Sequence, residues 1–215
     1  MRKLILILTL LLTQSCSALE SDYDKLMNPI KKIKLAEQKA GKPSPTFDGV
    51  VEPNFPDEKE NNKKLEGVDS NHDGVRDDIE IWINRTAEDA YVRWAMKDYY
   101  KKFFSLFKAI YENQTEPVIH SEMSEVSDAG SCLSWMQTPY SKEYIKKYHK
   151  DSNEMNSSKI LDLFPNTSVR ATTYSKWNSY QINGALGGDN DYCRKSKVGI
   201  RYIDLVKKYQ EHRKW

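Results

Sequence analysis

Asp69-Ser70-Asn71-His72-Asp73-Gly74-Val75-Arg76-Asp77-Asp78-Ile79-Glu80 decides how the rest of the chain is read. Oxygen-bearing side chains stand at alternate positions, Asp69, Asn71 and Asp73, and Gly74 follows where a tight reversal needs a residue without a Cβ. Asp77 and Glu80 then open a run with helical periodicity, and the positive end of a helix favours carboxylates in its first turn. The plainest explanation is an Asx-rich turn running into a capping box, Asp77 with Glu80 three residues on. That accounts for half the pattern and leaves Asp69, Asn71, Asp73 and Gly74 at their fixed intervals unexplained.

At every ligand position these twelve residues resemble the calcium loop of the EF-hand. Calcium is a hard cation that takes six to eight oxygen ligands. The resemblance implies side-chain oxygens from Asp69, Asn71 and Asp73, the backbone carbonyl of Val75, Asp77 directly or through water, and both carboxylate oxygens of Glu80. Two departures matter. Glu58 to Gly67 has almost nothing apolar beyond Leu65, so an entering helix is expected to be absent or short. The eighth loop position, apolar in paired EF-hands, is Arg76. The resemblance is therefore to a solitary loop with an exit helix, holding a structural ion with a dissociation constant on the order of 10⁻⁴ to 10⁻³ M. A metal-free helix cap is the alternative.

Downstream of the loop, Ile79, Trp82, Ile83, Ala87, Ala90, Trp94, Phe103, Phe107 and Ile110 recur mostly at three- and four-residue steps. This predicts one amphipathic helix from Asp77 to about Asn113, ended by Glu116-Pro117 because the residue before proline is pushed out of helical geometry. Tyr99 or Tyr100 and Phe104 fall off its main stripe and are candidates to line a groove. Further helices are expected around Ser121 to Met136, Ser141 to Met155, Val169 to Ile182 and Val198 to Arg213, separated by turn-formers such as Thr138-Pro139 and Asn183-Gly184. No long stretch alternates with a two-residue period. The expected fold is a small, mainly α domain over residues 65–215.

The amino-terminal part reads differently. Met1-Arg2-Lys3 and the apolar run Leu4 to Leu12 form a secretion signal, too short for the ~20 residues of a membrane span. Leu12-Thr13-Gln14-Ser15-Cys16 resembles the lipobox of bacterial lipoproteins, which makes residues 1–15 a lipoprotein signal peptide and Cys16 the lipidated first residue. Cleavage after Ala18 is the alternative. In Gram-negative lipoproteins the next residue helps sorting, and Ser17 rather than Asp favours the outer membrane. Residues 16–64 are polar and broken by Pro29, Pro43, Pro45, Pro53 and Pro56. They are expected to be a disordered tether, with room for a short helix around Ile30 to Ala40.

With Cys16 given to lipid, Cys132 and Cys193 are the pair left for a disulfide in an oxidising compartment, worth about 4 kcal/mol in the chain-entropy model. Two buried thiols are the alternative. Removing Arg2 and Lys3 from the 33 basic residues leaves 31 against 31 acidic ones, so whole-molecule charge gives no reason to expect nucleic acid. Basic residues near Lys146, Lys147 and Lys150, and again at Lys207, Lys208, Arg213 and Lys214, read as solvated helix faces or as contacts to anionic lipid or cell-wall polymers.

Catalysis has little behind it. His72, His120, His149 and His212 are scattered, and neither G-x-S-x-G nor H-E-x-x-H occurs. Ser105-Leu106-Phe107-Lys108 fits S-x-x-K only inside an amphipathic helix. The sequence thus points to a non-enzymatic envelope module with one calcium site, tethered to the membrane by lipid and meeting a protein or cell-wall partner. A calcium-supported envelope hydrolase is the second reading. The loop and the aromatic helix after it also resemble bacterial lipoproteins over the middle third of the chain, a likeness that brings no activity with it.

Overall fold

The apolar rhythm from Ile79 to Ile110 is carried by two helices rather than one. A computed structural model of the chain describes residues 23–87, 90–137 and 157–181. In order, these hold α1 (residues 23–39), the hairpin of β1 (Thr46–Phe47) and β2 (Val50–Val51), and α2 (Glu58–Asn62). There follow α3 (Asp77–Thr86), α4 (Ala90–Tyr111), α5 (Glu116–Gln137), α6 (Ser157–Asp162) and α7 (Ser168–Gln181). The protein is mainly α. Among the described residues no helix is long and apolar enough to cross a membrane.

The expected single helix breaks at Ala87, which turns extended with φ −94° and ψ 112°. Its carbonyl accepts a 2.8 Å hydrogen bond from Arg93 Nη1, so the break is satisfied by a group six residues on. The apolar spacing continues across it because Ile83, Ala87 and Val92 all enter the same core. At the far end, Glu116-Pro117 does not terminate this helix. α4 stops earlier, at a Schellman turn in which Asn113 takes φ 53° and Gln114 N–H reaches back to the Ala109 carbonyl. Pro117 sits instead in the first turn of α5, where its missing N–H removes nothing.

α4 and α5 form an α-hairpin against which α3, α6 and α7 pack. Phe103 and Phe107 meet Phe164, which follows α6, at ring separations of 4.7 and 4.8 Å, and Phe103 meets Trp177 of α7 at 5.1 Å. Tyr99 and Tyr100 are buried and belong to this core, and Phe104 stacks on Tyr100, so the off-stripe aromatics do not form a separate groove. α7 lies within a residue of its expected position at each end. The helices expected over Ser141 to Met155 and Val198 to Arg213 lie outside the described residues.

Residues 23–64 are not a tether from 23 onward. Met27 and Lys34 of α1 are 1 % exposed, as is Glu52 after the hairpin. The polar composition that argued against a core is used in ion pairs with it. Lys34 Nζ is 2.8 Å from Glu52, and Arg85 of α3 binds Glu52 and Glu37 at 2.7 and 2.8 Å. The hairpin turn is Asp48-Gly49, with φ 55° and 84°, and Asp48 returns to Arg93 at 2.6 Å.

Candidate metal centre

The loop begins where the Val68 carbonyl accepts the Asp77 N–H at 2.8 Å, which closes the turn before α3. Inside it, the Asp69 carboxylate accepts the amides of Asp73 and Gly74 at 3.2 and 2.9 Å. Asn71 Oδ1 accepts the Asp73 amide and Asp73 Oδ1 accepts that of Val75, at 3.1 and 2.8 Å. Gly74 at φ 86° and His72 at φ 57° supply the left-handed reversals that make this wrapping possible. His72 is exposed, as a non-ligand position should be.

Asp77 Oδ1 accepts the Ser70 amide at 2.9 Å. Burial pushes the Asp77 carboxyl up to about 6 despite that bond, and the negative charges of Asp69 and Glu80 push the same way. Glu80 is fully buried. Its Oε1 lies 2.6 Å from Lys97 Nζ of α4, and its Oε2 accepts from Asn71 Nδ2 at 3.0 Å. The expected ligands Asp69, Asn71, Asp73, Val75, Asp77 and Glu80 thus share one loop, joined by hydrogen bonds. Among the described residues, however, no group of three or more acidic, histidine or cysteine side chains stands ready to hold a metal. The donor chemistry fits a hard cation, because every expected ligand is an oxygen and Asp77 feels the negative charges of Asp69 and Glu80. The position of Glu80 does not yet fit, since both its oxygens are engaged by nitrogen donors.

Arg76 was the residue most at odds with the EF-hand pattern, and the structure gives it a place. It is 2 % exposed and grips the fully buried Asp78 through Nε and Nη2, the latter at 3.0 Å. Asp78 also accepts from Tyr23 Oη at 2.6 Å and Asn61 Nδ2 at 3.0 Å, which brings α1 and α2 onto the start of α3. Burial pushes the Asp78 carboxyl up, but the Arg76 guanidinium outweighs it and holds the carboxyl below its usual range. Burial and neighbouring Asp78 raise the Tyr23 phenol, which stays a donor. Arg170 of α7 completes the assembly by donating to the carbonyls of Asn61, Lys64 and Leu65 at 2.6 to 3.1 Å. Burial and the charge of Arg76 lower its guanidinium to about 10.

These partners had no local signal. Tyr23 and Arg170 lie far from Asp78 and Asn61 in sequence, and Lys97 is 17 residues from Glu80. Of the cysteines, Cys132 is buried in α5, whereas Cys16 and Cys193 lie outside the described residues. The basic clusters at 146–150 and 207–214 lie outside them too. A polar cleft of about 170 Å³ lies beside α1 and α2, lined by Tyr23, Lys31, Phe55, Glu58, Asn62 and Asn166 among others. Its Glu58 is paired with Lys31 at 2.9 Å, and its described lining has no serine, cysteine or histidine. In comparisons with known proteins, the chain matches no protein-family model, no curated protein and no solved structure.

Proposed function

We propose that this chain is a non-enzymatic, membrane-tethered lipoprotein of the bacterial envelope, and that a structural calcium ion at Asp69 to Glu80 fixes the start of α3 and with it the shape of a binding or scaffolding face. What supports the calcium reading is the wrapping of the loop. Asp69, Asn71 and Asp73 each fold back onto loop amides, which holds their side chains against the turn instead of leaving them splayed outward. A carboxylate has about four acceptor sites, so one or two amide bonds leave oxygens for an ion.

Burial argues for a structural ion over a sensor. Every residue from Val75 to Asn84 is buried, and Arg76 and Asp78 lock the first turn of α3 to α1, α2 and the Leu163 carbonyl after α6. A sensor must swing its helix to open an apolar groove when its ion binds, and here that swing would have to break the buried bonds of Arg76 and Asp78 to Tyr23, Asn61 and the Leu163 carbonyl. An ion here would stabilise the fold by mass action, roughly 2.7 kcal/mol at a concentration 100 times its dissociation constant.

Thermal melts in calcium and in chelator test this. A rise in Tm with calcium, abolished in Asp73→Ala, is expected, and an unchanged Tm removes calcium from the account. The anchor is checked by mass spectrometry of the mature amino terminus, where a lipidated Cys16 is expected and a free Leu19 would remove the tether. Non-reducing peptide mapping tests the Cys132 to Cys193 bridge. On this reading Ser17 directs the protein to the outer membrane, and its partners are a protein or a cell-wall polymer met from the lipid surface.

A further inference from the structure

We propose that Lys97 is a built-in competitor for the ion, holding Glu80 closed until calcium displaces it. The proposal rests on the calcium reading above and concerns how that site is controlled. Glu80 occupies the position from which a carboxylate must give both oxygens to calcium. Both are already taken, Oε1 by the Lys97 ammonium at 2.6 Å and Oε2 by the Asn71 amide nitrogen at 3.0 Å. Asn71 is itself an expected ligand, so two members of the ligand set are turned toward each other.

Lys97 is held in place by the fold. Its side chain is 16 % exposed and reaches Glu80, itself 1 % exposed, from the second turn of α4. One turn further, the Lys101 side chain runs past Gly74, 3.6 Å from where a Cβ on that glycine would lie. α4 therefore lays two cations along the loop, but only Lys97 makes an ion pair with a ligand.

The closed loop is consequently neutralised in part without metal, and binding must break a largely buried ion pair before Glu80 can turn. A binding-competent state that is only fractionally populated weakens the apparent affinity by that fraction. Lys97 thereby places the site in a weaker calcium range than its four carboxylates would give alone, and calcium binding releases an ammonium on the α4 surface beside Lys101.

Calcium titration by isothermal calorimetry of the full mature chain, as wild type, Lys97→Met and Lys101→Met, separates the outcomes. Lys97→Met removes the competitor, whereas Lys101→Met removes the same charge from the same helix without touching Glu80. About tenfold tighter binding in Lys97→Met, with less than about threefold change in Lys101→Met, is expected. Equal effects of the two substitutions overturn the competitor while calcium binding stands. No binding by any of the three chains overturns the calcium reading and the competitor with it. Binding by Lys97→Met alone upholds the competition and shows that the natural chain keeps lysine in place of the ion, which overturns the calcium reading. Lys97→Gln, which keeps a donor but no charge, replaces the methionine variant if circular dichroism shows that one misfolded, and is judged by the same comparison.

Discussion

The Arg76 guanidinium and the Asp78 carboxylate face each other two residues apart at the mouth of α3, 2 % and 0 % exposed. Such a pair stabilises little in total, because removing both charges from water offsets most of their attraction, yet breaking it from one side is severe. Asp78→Ala would leave Arg76 buried beside Arg170 with no counter-charge, and would free Tyr23 Oη and Asn61 Nδ2 as well. A loss of about 3–5 kcal/mol in urea unfolding is expected. The double variant Arg76→Met with Asp78→Asn should recover part of it, and a double variant no better than the single one would show that the pair is not the main term.

Glu52 plays the corresponding part for the amino-terminal segment. It is 1 % exposed and receives both Lys34 and Arg85, so Glu52→Ala strands a buried ammonium. About 3–5 kcal/mol should again be lost, but locally. Hydrogen exchange should rise over residues 23–57 while α4 and α5 keep their protection. A uniform rise along the whole chain would show that this segment unfolds only with the body.

These two networks explain why some of the structure was legible in the sequence and some was not. The Asx-rich turn was, since Asp69, Asn71, Asp73 and Gly74 act on one another within six residues and their spacing records it. α7 was nearly so, because Pro165 and Asn166 mark its start and Thr167 caps it, its Oγ1 accepting the Arg170 N–H. The segment 23–64 was misread because its charges find partners at Arg85 and Arg93, tens of residues away, and composition is blind to such pairing. Asp48-Gly49 between Phe47 and Val50 is a strong hairpin signal that the expectation of a tether overrode. The break at Ala87 was hidden because the apolar period continues through it. Lys97 was invisible as a partner of Glu80 for the same reason as Arg85, since only the docking of α4 on the loop brings them together.

Gly67 offers a sharp test of how closely α2, the loop and Arg76 fit. Its φ of +72° disfavours any side chain, and a Cβ there would collide with the Arg76 stem and with Asn61 Oδ1. Both of those groups are buried, and Asn61 is fixed by its bonds to Val68 and Asp78, so neither has room to give. Gly67→Ala should cost about 1–3 kcal/mol from overpacking, beyond its backbone strain. Gly41 has φ +65° but open space around it, so Gly41→Ala should show the strain alone. Equal losses at the two positions, measured by chemical denaturation, would mean that the contact of Gly67 with Arg76 is slack.

The ion pair of Arg85 with Glu37 predicts a contribution on the acid side. The hydrogen bond from Arg85 is the main cause holding the Glu37 carboxyl below its ordinary value of 4.5; burial, the next largest influence, works against it, and the charges of Arg85, Lys34 and Lys42 add to the lowering. A carboxyl lowered in the folded state binds fewer protons there than in the unfolded chain. Its stabilising contribution is therefore complete above the unfolded value near 4.5 and fades as pH falls through the lower folded one. Glu37→Gln should accordingly be less stable than wild type at pH 7, with the gap narrowing below about pH 4.5. The comparison needs unfolding curves at pH 7, 5, 4 and 3, in chelator so that metal binding does not enter. A gap that stays constant across this range would mean that Glu37 acts through packing or helix propensity, and that Arg85 is held by Glu52 alone.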